Sequence, residues 1–89
     1  MSLDALFEAC EQMQQRGERA EAVALYAAWL VTSEDENRHM AWFNYGAALQ
    51  AIGQPLEAIK AYVECLSLKP YFPQALINMG LTLEKLGKR

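Results

Sequence analysis

The chain is short of the residues on which small secreted or catalytic proteins depend. It holds two cysteines, Cys10 and Cys65, set in apolar stretches more than half the chain apart. They are too few and too distant for a disulfide framework or a zinc site, and read instead as small core fillers. The longest unbroken apolar run, Ala22 to Val31, has ten residues, well below the ~18 or more that span a bilayer. The N-terminus, Met1-Ser2-Leu3-Asp4, has no basic leader region, so no secretory signal is expected and the setting is read as reducing and cytoplasmic. No segment alternates with a period of two, so strands are not expected. Nor does the chain offer a glycine-rich phosphate loop, a paired-carboxylate site or a cluster of metal ligands. No enzyme activity, cofactor or metal is therefore expected.

What is present fits one small globular domain. The 89 residues are 53% hydrophobic and 21% charged, with a mean hydropathy of −0.07, values far from those of a disordered chain. The formal charge of −3 argues against a nucleic-acid partner, which needs a concentrated basic face. That charge is unevenly spread. Residues 1–36 carry eight acidic and two basic side chains, whereas residues 37–89 carry six basic and three acidic ones.

The chain repeats itself. Gly17, Gly53 and Gly87 close successive runs of helix-forming residues at spacings of 36 and 34, a period typical of stacked repeats. Gly17-Glu18-Arg19-Ala20-Glu21-Ala22 recurs as Gly53-Gln54-Pro55-Leu56-Glu57-Ala58, followed by Tyr26 and Tyr62 at matching places. Trp42-Phe43-Asn44-Tyr45-Gly46 recurs as Leu76-Ile77-Asn78-Met79-Gly80. The pattern predicts helices over roughly 3–15, 19–32, 36–51, 55–68 and 73–87. Ser33-Glu34-Asp35-Glu36 has the form of a capping box opening the third helix. Pro55 suits a first helical turn, and Pro70 and Pro73 bracket the last break.

Trp42-x2-Tyr45-Gly46-x2-Leu49, then Ala58-x3-Tyr62, then Pro70 resembles the tetratricopeptide repeat. The resemblance implies an all-α, right-handed helix-turn-helix solenoid of two full repeats, about 3–36 and 39–72, and a half repeat over 73–89. The first unit matches more loosely, with Cys10 where the small glycine would stand. Gly46, Gly80 and Ala58 are small where helix axes would approach closely, and Trp42, Tyr62 and Leu66 are expected to fill the space between helices. On the fifth helix, Leu76, Met79, Leu83 and Leu86 form an arc expected to pack on the preceding helix. Ile77 and Leu81 form a second arc that needs another partner.

Candidate functional residues follow from the same periodicity. In tetratricopeptide arrays the first helix of each unit lines a concave groove. That places Phe7, Glu8 and Glu11, then Met40, Phe43 and Asn44, then Gln74, Ile77, Asn78 and Leu81 on it. Asn44 and Asn78, 34 apart, could stack as a two-rung ladder gripping a peptide backbone, similar to the asparagine ladder of O-linked N-acetylglucosamine transferases. They could equally serve the packing of neighbouring helices. The basic clamp by which related domains hold acidic chaperone tails is missing, since Phe7, Glu11, Gln74 and Asn78 stand where its basic residues would, so such tails do not fit. The acidic rim of Asp4, Glu8 and Glu11 favours a partner with Lys or Arg beside apolar residues. His39, the single histidine, reads as a solvated residue at a helix start.

Three functions remain open on this reading. The first is a non-catalytic scaffold binding a peptide or partner protein on the groove, with no membrane contact. The second is the N-terminal repeat fragment of a longer enzyme, because the last unit stops after Lys88-Arg89 without a second helix. Its phrasing resembles the repeats preceding bacterial O-linked glycosyltransferase domains. The third is self-association into a homo-oligomer through the fifth helix and the oppositely charged ends.

Overall fold

The computed structural model describes residues 1–87, so Lys88 and Arg89, the end of the expected half repeat, lie outside the described residues. Five helices follow one another: α1 (Leu3–Gln15), α2 (Arg19–Thr32), α3 (Arg38–Ala51), α4 (Pro55–Leu68) and α5 (Pro73–Gly87). Among the described residues there is no strand. Each helix packs on its successor, and α1 also touches α3, which sets the first helices of neighbouring units side by side. The result is an all-α helical repeat solenoid measuring 40 × 30 × 18 Å.

Two turns of the same build make the hairpins. Gly17 and Gly53 adopt φ of 78° and 79°, a left-handed conformation in which a side chain would be strained. In the first turn, Glu18 N–H bonds the Met13 carbonyl at 2.7 Å and Gly17 N–H bonds that of Gln14 at 3.0 Å. In the second, Gln54 N–H reaches Leu49 at 2.9 Å and Gly53 N–H reaches Gln50 at 3.0 Å. These pairs satisfy carbonyls that a helix end leaves orphaned, and they fold the chain back on itself. Gly87 differs, being the last residue of α5.

The junction between the units departs from expectation. Ser33–Glu36 is not a capping box: α3 begins at Arg38, with Asn37 before it making no side-chain cap. Ser33 Oγ instead accepts from Asp35 N–H at 3.1 Å, and Asp35 Oδ1 accepts from Asn37 N–H at 2.8 Å. Two short side chains have bonded backbone two residues ahead, forming consecutive turns in place of a cap. A true side-chain cap lies at Ser2, whose Oγ accepts from Ala5 N–H at 3.1 Å.

The core runs as two adjoining clusters. Leu6, Cys10, Ala22, Tyr26, Leu30, Ala41 and Ala48 form the first, and Leu49, Ala58, Ala61, Tyr62, Cys65 and Ala75 the second, with Trp42 and Tyr45 packed against both. Trp42 thus joins the two units, as its size suggests, and Ala58 is fully buried beneath its own unit's first helix. Pro70 is exposed, in the turn after α4.

The fifth helix is rotated from its expected setting. Ala75 and Thr82 are buried, with Met79 and Leu86 partly so. Leu76 and Leu83 remain 48% and 50% exposed, so the arc that packs on α4 is Ala75, Met79 and Thr82. Gly80 likewise is no close-contact residue: a Cβ built there would meet nothing within 4 Å. The face that the sequence alignment with α3 identifies has no helix on it among the described residues.

Candidate functional site

Gly46 shows why the repeat needs a small residue at that position. A Cβ placed on it would lie 2.6 Å from the Tyr62 ring, so the glycine lets the ring lie against the α3 backbone. Tyr62 is thereby fully buried. Its hydroxyl donates to Gln50 Oε1 and accepts from Asn78 Nδ2, the latter at 3.5 Å. In the first unit Tyr26 occupies the equivalent place, with Asn44 and Cys10 beside its hydroxyl. The Cys10 thiol reaches the Ala22 carbonyl at 3.8 Å. Tyr62 is therefore tied to the asparagine of the next first helix, and Tyr26 and Asn44 border one hollow in the corresponding place. Asn78 takes part in packing between helices of neighbouring units.

The titratable groups in these seams are displaced towards their neutral forms. Burial pushes Tyr26 and Tyr62 up, opposed by the donors Asn44 and Asn78. Burial also pushes the Cys65 thiol up to about 11, and raises Cys10 against the counter-effect of Tyr26. A thiol held protonated is a poor nucleophile. His39 is partly buried rather than freely solvated, edge-on to Phe72 with ring centroids 5.4 Å apart. Burial, and then the nearby Lys69 charge, lowers its pKa.

The first helices border a trough. Phe7, Glu11 and Gln14 from α1 face Asn44 and Ala47 from α3, with Tyr26 of α2 also lining a hollow of about 380 Å³. The structure thus brings together Phe7, Glu11 and Asn44 from the expected groove set. Glu8 stands exposed on the same helix. Phe43 lies apart, its ring 5.9 Å from Tyr62 and 5.4 Å from Phe72. Met40, Gln74, Ile77 and Leu81 are exposed on α3 and α5, away from this hollow, and Asn78 is bonded to Tyr62. Gln14 and Tyr26 were absent from the expected set. Their signal was the 36-residue spacing that equates them with Gln50 and Tyr62.

A second apolar depression of about 460 Å³ lies on α3 and α4, lined by Trp42, Tyr45, Ile59 and Val63 among others. Among the described residues no three of His, Cys, Asp and Glu are grouped to hold a metal ion, and no helix is long and apolar enough to cross a membrane.

These features define a class: helical hairpins stacked on a small-residue and tyrosine seam, with an open trough on one side. A family model described as the tetratricopeptide repeat matches residues 39–72, which cover α3, α4 and the turn that follows. The match supports a place for the chain among tetratricopeptide repeat proteins, whose repeats generally serve as non-catalytic scaffolds for protein–protein interaction. No curated protein matches the chain.

Proposed function

We propose that the chain is a protein-interaction module that seats a short segment of another protein in the trough between α1 and α3. The observation behind this reading is the hollow in which Phe7, Tyr26 and Ala47 supply apolar surface while Glu11 and Asn44 stand at its wall. Among the described residues no lysine or arginine lines it. An incoming Lys or Arg would lay its methylenes on the rings and present its charge to Glu11. The Asn44 side chain offers a carbonyl oxygen and an NH₂ group, enough to hold one peptide unit.

A capped pentapeptide with lysine flanked by leucines is the probe, followed by chemical-shift perturbation. Shifts should centre on Phe7, Glu11 and Asn44, and the matched peptide with glutamate in place of lysine should bind at least tenfold more weakly. Glu11→Gln and Phe7→Ala should each weaken the lysine peptide without altering helical content. Equal affinity for both peptides, or variants that bind as the parent does, would defeat the reading. Phe7 is a better probe than Phe43, whose removal would also open the ring stack with Tyr62 and Phe72.

A further inference from the structure

We infer that the trough is bipolar, and that the segment it holds carries a lysine or arginine and, two residues along, an aspartate or glutamate. This rests on the peptide-binding reading of the trough proposed above and names the chemistry of its partner. The first ground is continuity. The hollow of about 380 Å³ that holds Glu11 and Asn44 adjoins a second of about 330 Å³, lined by Gln14, Arg19, Ala48 and Ala51. Gln14 borders both. On α3 the lining advances from Asn44 and Ala47 in the first hollow to Ala48 and Ala51 in the second. The trough therefore continues along the helices towards the turn at Gly17.

The second ground is charge. Glu11 stands in the first hollow and Arg19 in the second, and among the described residues neither makes an ion pair. Glu11 accepts a bond from Gln15 Nε2 at 3.4 Å. The other cation of the turn, Arg16, is paired with Glu18 at 3.2 Å, which leaves Arg19 to meet an incoming anion. Glu21 lies two residues further along α2, and residues so spaced do not face each other on a helix. The third ground is register. The two stretches of α3 that line the hollows are offset by four residues, or about 6 Å at the helical rise. An extended peptide advances ~3.3 Å per residue and projects residues i and i+2 to the same side. A basic and an acidic side chain with one residue between them therefore enter the trough together, one at Glu11 and one at Arg19. Adjacent charges would point to opposite sides, and charges four apart would overshoot by roughly 7 Å.

The test is titration of the full chain with three peptides capped at both ends: Leu-Lys-Leu-Glu-Leu, its glutamine counterpart Leu-Lys-Leu-Gln-Leu, and the adjacent-charge isomer Leu-Lys-Glu-Leu-Leu. The first should bind about threefold more tightly than either of the others, the gain expected of one exposed ion pair. The advantage should shrink as salt is added. Arg19→Gln, at an exposed position, should keep its helical signal and abolish the difference between the glutamate and glutamine peptides. Arg19→Glu should reverse it, so that Leu-Lys-Leu-Lys-Leu becomes the better ligand, an outcome that a merely structural role for Arg19 would not produce. Equal affinity for the glutamate and glutamine peptides overturns the inference while leaving the trough reading in place. So does a preference that survives Arg19→Gln, or an adjacent-charge isomer that binds as tightly as the spaced one. Failure of every peptide to bind overturns both readings.

Discussion

The two complete units solve one packing problem in different ways. In the second, Gly46 makes room for Tyr62, which buries its whole ring and sends its hydroxyl to Gln50. In the first, Cys10 occupies the glycine's place, beside the Tyr26 hydroxyl, and its thiol reaches the Ala22 carbonyl. Gln14, the counterpart of Gln50, is left to line the trough. The exchange of glycine for cysteine accompanies a difference in the glutamine one turn later, which bonds the tyrosine in one unit and lines the trough in the other. The lesson concerns the repeat itself: its seam positions are read as a coupled set, which substitution at the glycine position tests.

The largest expected effect comes from forcing the second unit to imitate the first. Gly46→Cys puts a Cβ within 2.6 Å of the Tyr62 ring, and neither the fully buried ring nor the α3 backbone can move freely. Overpacking of this kind costs about 1–3 kcal/mol, less a gain of up to about 1 kcal/mol in helix propensity. The converse, Cys10→Gly, should also destabilise, through the lost buried sulfur and the added backbone freedom. Urea unfolding of the two variants decides the matter. If Gly46→Cys were neutral, the seams would be interchangeable and the comparison between units would fail.

This coupling also marks how far sequence could lead. Helix boundaries at Gly17, Gly53, Pro55 and Pro73 were legible because glycine and proline act locally, through φ and the missing N–H. Ser33–Glu36 misled for the opposite reason: short polar side chains can bond several backbone groups, and tertiary placement of α3 chose among them. Aligning Gly80 with Gly46 predicted a close contact that α5 does not make, because contact depends on what packs opposite. Phe7, Glu11 and Asn44 could be placed on one side through the resemblance to tetratricopeptide arrays together with the helical period. The bond from Asn78 to Tyr62 could not, since it crosses from one unit to the next.

A smaller difference between the units should appear at alkaline pH. Burial alone raises Cys65 from its ordinary 9.0 to about 11, whereas the Tyr26 hydroxyl partly offsets the rise at Cys10. A folded-state pKa above the unfolded value means that the stabilising, protonated thiol is intact below about 9. Its contribution is lost as pH rises towards 11. Stability measured by denaturant titration should therefore fall across that window. Cys65→Ala should flatten the fall more than Cys10→Ala, whatever either does to stability at neutral pH. Equal flattening would mean that the two thiols sit in equivalent surroundings.

The smallest effect concerns the turn that leads into α5. His39 packs edge-on to Phe72, where burial and then the Lys69 charge depress its pKa below 6.5. The neutral imidazole is thus the form the fold prefers. Because the folded-state value is the lower one, its contribution is complete above the unfolded value near 6.5 and fades as pH falls through the folded value. Histidine ring signals followed by NMR should give a midpoint below 6.5 in the folded chain. Lys69→Gln should raise that midpoint only part of the way, since burial is the larger cause and remains. Phe72→Ala, which removes the ring, should raise it further and loosen the Phe43 contact as well. A midpoint at the ordinary value would mean that the imidazole is fully hydrated, and the junction between α4 and α5 would then lack the aromatic anchor that Phe72 provides.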